Sequence, residues 1–297
     1  MSSVDKENLA IERIKMAATL SEHFYKKPVL LCYSGGKDSD VLLELAKRSG
    51  VHFEIQHSHT TVDAPQTVYH IREVFRGLEM KGIPCTINMP RMTMWQLIVH
   101  KKIPPTRLMR YCCSELKEQS GRNRHIMTGV RWAESVRRKK RGIYEAITSN
   151  RDKKIILSND NDDKRMLTER CQLQAKTVTN PIIDWTDEEI IDFIHAEKIK
   201  INPLYSNGYC RVGCIGCPMA SRRIRKKEFS DYPTYQKAYI RAFEKMLEAQ
   251  KAAGLSNDER WASGRAVFER WMENPDYIDG QMEFKLENAK TERTVKK

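Results

Sequence analysis

Residues 28–50 read PVLLCYSGGKDSDVLLELAKRSG. An apolar run too short for a helix gives way to Ser34–Ser39, and then to leucines at helical spacing that stop at Gly50. Strand, glycine turn and helix in that order make a phosphate-binding device. Gly35 and Gly36 admit backbone conformations closed to other residues, so N–H groups can turn toward an oxyanion. The start of the following helix adds partial positive charge. Lys37 can reach a phosphate, Ser34 and Ser39 can donate hydrogen bonds, and Asp38 can orient the loop or hold a magnesium ion.

The alternation continues outward from this stretch. HFEIQHSH (52–59), PCTINMP (84–90) and HIMTGVR (125–131) predict strands, while residues 7–26 and PQTVYHIREVFRGLEMKG (65–82) predict helices. Strands alternating with helices predict a parallel sheet covered on both faces. TDEEIIDFIHAEK (186–198) predicts a helix with Thr186 as N-cap and Glu189 three residues on, a capping box. Residues 148–175 are charged and weakly periodic, as in an insertion or loop, and two amphipathic helices follow residue 230. The domain plan is an N-terminal helix (1–27), an α/β domain (28–220) and a C-terminal helical extension with a basic tail (221–297).

The chain has 297 residues, 40% hydrophobic and 31% charged, with a net charge of +13. That supports a core and excludes a membrane span, since no run approaches ~18 apolar residues. MSSVDKENLAIERIK at the start has no apolar signal core, so a cytoplasmic protein is expected. The positive charge suits anionic partners such as nucleotides or nucleic acid, and equally an ordinary solvated basic surface.

The loop spacing differs from the G-x-x-x-x-G-K-S/T of P-loop nucleotidases. It resembles the SGGxDS signature of the PP-loop ATP pyrophosphatases, which include the adenosine phosphosulfate and phosphoadenosine phosphosulfate (PAPS) reductases. TGVRWAESVRR (128–138), NPIIDWTDEEIIDFI (180–194) and INPLYSNGYCRVGCIGCP (201–218) are similar to further segments of those reductases, in the same order. The resemblance implies an α/β, Rossmann-like (adenine nucleotide alpha-hydrolase-like) parallel sheet that binds ATP or a sulfonucleotide. It implies Ser34, Gly35, Gly36, Lys37, Asp38, Ser39 and Gly129 at the nucleotide, and Asp63 on a loop near it. Arg131 and Arg137 lie past a predicted strand end, where open α/β sheets bind ligands, and a guanidinium can grip phosphate or sulfate. With Lys37 they are the expected catalytic residues.

Eight cysteines stand at 32, 85, 112, 113, 171, 210, 214 and 217. A tandem pair, Cys112 and Cys113, and a C-x-x-C, Cys214 and Cys217, suit either an iron–sulfur cluster or zinc. Resemblance to the assimilatory adenosine phosphosulfate reductases implies a 4Fe–4S cluster, with Cys171 or Cys210 as alternative ligands. Lys117, in CCSELK, is expected nearby to offset thiolate charge. Cys32 and Cys85 fall on predicted strands and are expected in the core.

The reductases attack sulfur with a cysteine in a C-terminal ECGLH motif, whereas residues 218–297 of this chain contain no cysteine. Three functions are compatible with that difference. The first is an ATP pyrophosphatase in sulfur transfer to nucleic acid, like the iron–sulfur protein of DNA phosphorothioation, with a cysteine desulfurase or other sulfur donor as partner. The second is a sulfonucleotide reductase using Cys171 or Cys210 as nucleophile. The third is a nucleotide- or redox-sensing binding module. Trp261, Arg265, Phe268, Arg270 and Trp271 either pack on the core or meet a nucleic acid.

Overall fold

The computed structural model describes residues 3–117, 121–135, 138–147, 155–157, 176–255 and 261–273. They divide into two compact units with limits at Pro90/Arg91, Leu116/Lys117 and Gly213/Cys214.

The first unit is a seven-stranded sheet in the order β3-β2-β1-β4-β7-β5-β6. Its strands are β1 (Val29–Cys32), β2 (Phe53–Ser58), β3 (Cys85–Asn88), β4 (His125–Met127), β5 (Tyr144–Ile147), β6 (Ile155–Leu157) and β7 (Lys176–Thr179). The pairs β1–β2, β2–β3, β1–β4 and β4–β7 are parallel, as expected. The strand β5 departs from the expectation, running antiparallel to both β7 and β6. A parallel partner needs a long crossover, whereas β5 and β6 are close in sequence and pair as an antiparallel ribbon at the sheet edge. The strand β6 lies inside the stretch expected to be an insertion. The triplet Ile155-Ile156-Leu157 carries it amid a charged surrounding.

Helices α1 (Ser3–Tyr25), α2 (Lys37–Arg48), α3 (Pro65–Glu79) and α6 (Asp187–Ala196) cover this sheet. Ala10, Ile14 and Ala17 of α1 are fully buried with Val41, Leu42 and Leu45 of α2 and Leu31 and Ile55 of the sheet, so the N-terminal helix belongs to the sheet's core. The capping box at α6 forms as expected: Thr186 Oγ1 accepts from Glu189 N–H at 3.2 Å, and Glu189 Oε2 accepts from Thr186 N–H at 2.8 Å. His125 stitches β4 to β7, its two ring nitrogens each 2.7 Å from the hydroxyls of Thr177 and Thr179. Burial lowers its pKa to about 3, so it stays neutral.

The chain order reverses between β1 and β4, and ligands of open α/β sheets bind beyond the carboxyl ends of strands at such a switch. Both SGGKDS, after β1, and Gly129, after β4, lie there.

The second unit is helical: α4 (Met94–Lys101), α5 (Tyr111–Leu116), α7 (Arg222–Asp231), α8 (Pro233–Ala252) and α9 (Gly264–Glu273). Residues 91–116 thus fold with the C-terminal helices rather than with the sheet they follow in sequence. Aromatic rings make its core. Trp271 stands 5.0 Å from Tyr239, 5.4 Å from Phe243 and 5.9 Å from Phe268 between ring centroids. Phe268 and Trp271 are buried in this stack, the packing alternative for the aromatic–basic helix, while Arg265, three residues before Phe268, is exposed. Among the described residues no helix is long and apolar enough to cross a membrane.

Candidate nucleotide and cysteine sites

The glycine turn is wired to itself. Ser39 Oγ accepts from Gly36 N–H at 3.1 Å and donates to Gly36 C=O at 2.7 Å, while Ser34 Oγ donates to Ser39 Oγ at 3.2 Å. Ser39 is 4% exposed. It therefore shapes the turn from within rather than facing a ligand, as a donor to phosphate would. Gly35 has φ +72°, and a Cβ there would meet Ile71 Cγ1 at 2.9 Å. A Cβ on Gly129 would meet the Asp38 carbonyl oxygen at 2.9 Å, so this glycine lets the β4 loop lie directly on the start of α2.

A segment that sequence reading named only as a motif braces the turn. Asn202 Nδ2 donates to Gly35 C=O at 3.0 Å and Tyr205 Oη accepts from Lys37 N–H at 3.0 Å. A Cβ on Gly36 would lie 3.4 Å from Tyr205 Oη and 4.0 Å from Val212 Cβ. Behind the turn, the Tyr33 hydroxyl donates to Asp40 and lies 3.0 Å from His70 Nε2. Burial raises the Asp40 pKa against the pull of His70.

Arg131 departs from expectation. It is 1% exposed, and its guanidinium donates to Asp38 Oδ1 at 2.8 Å, Trp185 C=O at 3.1 Å and Asp187 Oδ1 at 2.6 Å. All three nitrogens are thus committed within the protein, and the side chain ties α2, β4 and α6 together instead of presenting a bare cation. Lys37 Nζ joins the same network, 2.9 Å from Asp38 Oδ1 and 3.5 Å from Asp187 Oδ1. The hydrogen bond from Arg131 holds the Asp187 carboxyl below its usual range. Of the two roles open to Asp38, orienting the loop is the one its contacts serve.

Arg137 lies outside the described residues. Its neighbour Arg138 feels the charge of Asp38 and the repulsion of Arg141, Arg211 and Arg131, and burial leads the lowering of its pKa. Arg138 is paired with Glu134 and Arg141 with Glu145, while Arg211 is exposed. The run RRKKR announced positive charge without saying which member faces the loop.

Asp63 follows β2, where Oδ2 accepts from Thr60 N–H at 2.8 Å and stands 3.2 Å from His59 Nδ1. Burial would raise its pKa, but these hydrogen bonds and the charge of Lys117 outweigh it and leave it at about 2. Lys117, expected beside the cysteines, acts electrostatically on Asp63 and His57.

In the helical unit Cys112, Cys113, Cys214 and Cys217 converge. A hydrogen bond with Cys113 comes first in pushing the Cys112 thiol far up, followed by burial and the charges of Cys113, Cys214 and Cys217. The C-x-x-C turn is gripped from below. Glu228 Oε2 accepts from Gly216 N–H at 2.8 Å and the Tyr239 hydroxyl donates to Ile215 C=O at 3.0 Å. Gly216 has φ +71°, and a Cβ there would stand 2.6 Å from Phe229 Cζ. Arg225 is fully buried, 3.9 Å over the Trp271 ring, and feels the charge of Cys217. Its Nη1 donates to Trp271 C=O, but Nε and Nη2 have no hydrogen-bond partner among the described residues. Buried donors without acceptors are costly, so these two nitrogens fit an anionic guest among the thiols.

Of the remaining cysteines, Cys32 and Cys85 are partly buried, and burial pushes both thiols up to about 11. Cys171 lies outside the described residues. Cys210 is exposed and belongs to the sheet unit.

Comparison with known proteins agrees with this layout. An uncharacterized protein of Methanocaldococcus jannaschii is 25% identical over 252 residues, 82% of this chain and 51% of the relative. The chain thus spans about half the length of that relative, and 39% of a second from the same organism. An adenosine 5'-phosphosulfate reductase of Mycolicibacterium smegmatis is 47% identical over 38 residues, 13% of this chain and 16% of that enzyme. Among solved structures, a PAPS reductase from Candida auris has a TM-score of 0.45 at 15% identity, covering 69% of this chain and 87% of that one. A U34-tRNA thiolase from Methanococcus maripaludis with its 4Fe–4S cluster has a TM-score of 0.38 at 13% identity, covering 84% and 82%. The phosphoadenosine phosphosulfate reductase domain model matches residues 28–220, from the first strand to just past the C-x-x-C, and the chain belongs to that family.

Proposed function

We propose that this chain is a PP-loop enzyme of sulfur metabolism that splits ATP into AMP and pyrophosphate during sulfur transfer to nucleic acid. An oxygen of the acceptor attacks the α-phosphorus, the bond to the β-phosphate breaks, and pyrophosphate leaves. A sulfur donor, such as the persulfide of a cysteine desulfurase, then attacks the activated acceptor, AMP departs carrying the acceptor's oxygen, and an external thiol takes the donor's cysteine into a disulfide, leaving the terminal sulfur on the acceptor. Lys37 and the positive end of α2 would stabilise the departing pyrophosphate. Arg211, exposed on the segment that braces the turn, together with Arg137 would hold the anionic acceptor, since Arg131 is committed to Asp38 and Asp187. A magnesium ion would accompany ATP.

The disposition of the thiols carries this reading. Sulfonucleotide reduction needs a thiolate able to attack sulfur. The Cys112 thiol is pushed far up by Cys113, by burial and by Cys214 and Cys217, burial pushes Cys32 and Cys85 up to about 11, and residues 218–297 supply no cysteine. Adenylation of an acceptor needs no enzyme nucleophile. The net charge of +13 and the exposed Arg222, Arg223 and Lys226 of α7 suit a phosphate backbone.

Cys112, Cys113, Cys214 and Cys217 would hold a 4Fe–4S cluster. The orphaned Arg225 nitrogens suit its negative charge. Among the described residues, three cysteine sulfurs do not come within 4.8 Å of one another. A lone tetrahedral zinc ion would bring all four to about 3.8 Å, given Zn–S bonds of about 2.3 Å. When bound, the cluster supplies one-electron chemistry.

One observation favours the reductase reading. Cys210 is exposed on the segment whose Asn202, Tyr205 and Val212 abut the PP-loop. The test is anaerobic incubation with ATP, or with adenosine phosphosulfate or PAPS and thioredoxin, scoring pyrophosphate and sulfite separately. Pyrophosphate from ATP, dependent on an acceptor, is expected. Robust sulfite release that disappears in Cys210→Ser would replace the first reading by the second.

A further inference from the structure

Three histidines are buried in the sheet unit, and they differ in one respect. His125 has both nitrogens on threonine hydroxyls, and His70 Nε2 lies between Asp40 and Tyr33. His57 is 6% exposed and uses Nδ1 on the Tyr33 carbonyl at 3.0 Å, yet its Nε2 is buried without a hydrogen-bond partner. A carbonyl can only accept, so Nδ1 carries the proton and Nε2 presents a bare lone pair. That lone pair faces the carboxylate of Asp63, with Oδ2 at 3.9 Å. Two electron-rich atoms buried face to face repel, unless a cation lies between them.

A third donor completes the set. His59 Nδ1 is 3.2 Å from the same carboxylate oxygen, and one ligand atom from each of His57, His59 and Asp63 lies within 4.8 Å of the others. An ion with ligand bonds of about 2.0–2.1 Å holds neighbouring donors about 3.0–3.4 Å apart in tetrahedral or octahedral geometry. The His59–Asp63 spacing already meets that, and the His57–Asp63 spacing closes with a small contraction. The second shell is built as metal sites require. The Tyr33 carbonyl fixes the His57 tautomer, and Thr60 N–H steadies Asp63 Oδ2 at 2.8 Å.

We propose that His57, His59 and Asp63, in HSHTTVD (57–63), form a binding site for one first-row divalent transition-metal ion at the carboxyl end of β2. Two imidazoles and one carboxylate suit zinc, manganese, iron or cobalt better than magnesium, which prefers oxygen donors. Three protein donors leave coordination positions for water or an incoming oxygen ligand. The Tyr33 carbonyl that orients His57 immediately precedes the PP-loop, so the ion would sit one residue's hydrogen bond from the phosphate-binding turn. The inference does not depend on the sulfur-transfer reading.

The test is anaerobic Co²⁺ titration of the full chain, followed by visible absorption and calorimetry, with far-UV circular dichroism as the control for folding. Expected is one Co²⁺ with ligand-field bands and no sulfur-to-cobalt charge transfer. It should bind at least tenfold more weakly in both His59→Ala and Asp63→Asn, and unchanged in Cys214→Ser. The His59 side chain is partly exposed, so its removal leaves packing intact. Co²⁺ bound only with sulfur charge transfer, wild-type affinity in both folded variants, or no ion bound at millimolar Co²⁺ would each overturn the site.

Discussion

The PP-loop and the cysteine site differ in what they lack. Around Ser34–Ser39 the partners are internal: Ser39 closes on Gly36, Tyr205 takes the Lys37 N–H, and Asp38 is shared by Lys37 and Arg131. Around Cys112, Cys113, Cys214 and Cys217 the neighbouring thiols push the Cys112 thiol up, and buried Arg225 keeps two donors unused among the described residues. A loop built this way holds its shape from within. On the proposed reading, a thiol site built that way is completed by its guest, and metal binding there would be folding free energy.

The largest effect should come from removing that guest. Anaerobic chelation, or Cys214→Ser, should lower the melting temperature of the helical unit by about 10 °C, which corresponds to several kcal/mol. ATP affinity should stay within about twofold, as for independent sites. A loss of both together would break the contrast between the regions.

The next effect lies in the loop's buried cation. Arg131→Ala removes a buried guanidinium from Asp38, Asp187 and the Trp185 carbonyl, with Lys37 still serving the two carboxylates, and should cost about 2 kcal/mol in urea unfolding. Arg131→Lys should recover little of it, since a lysine cannot serve three acceptors on a planar fork. An Arg131→Ala protein of normal stability and lowered nucleotide affinity would restore the surface role expected from sequence.

Comparable in size is Gly129→Ala. Its Cβ would press on the Asp38 carbonyl at 2.9 Å, and backbone cannot yield as a flexible side chain can. A cost of about 1–3 kcal/mol is expected from such overpacking, with weaker ATP binding and an unchanged metal content. The smallest effect on folding belongs to Lys37→Ala. Its contacts are partly solvated, so stability should move by less than about 1 kcal/mol, while ATP affinity falls about tenfold by calorimetry, the equivalent of 1.4 kcal/mol.

The residues that were legible in sequence share a local cause. SGGKDS announced its turn because glycine spacing and a flanking strand and helix are short-range signals. The Thr186 capping box was legible for the same reason. The strand β5 and its antiparallel pairing were missed because YEAI is too short to mark a direction. Arg131 was expected to present its cation at the site, and its buried ion pairs were not foreseen. Its acidic partners come from 93 residues before it and 56 residues after it in the chain. Asn202 and Tyr205 were visible only as parts of a motif, and their contacts with the turn are tertiary. The histidine–aspartate group escaped notice because HSHTTVD reads as the end of a strand. Only the packed structure reveals an imidazole nitrogen left without a partner.

The contrast between a complete loop and an incomplete thiol site rests on what the four cysteines hold. The direct measurement is iron, acid-labile sulfide and zinc content of anaerobically isolated protein, for wild type, Cys113→Ser and Cys210→Ser. Expected are about four iron and four sulfide per chain in wild type and Cys210→Ser, and loss of both in Cys113→Ser. Zinc without iron in the wild type, or a full cluster retained in Cys113→Ser, would contradict it.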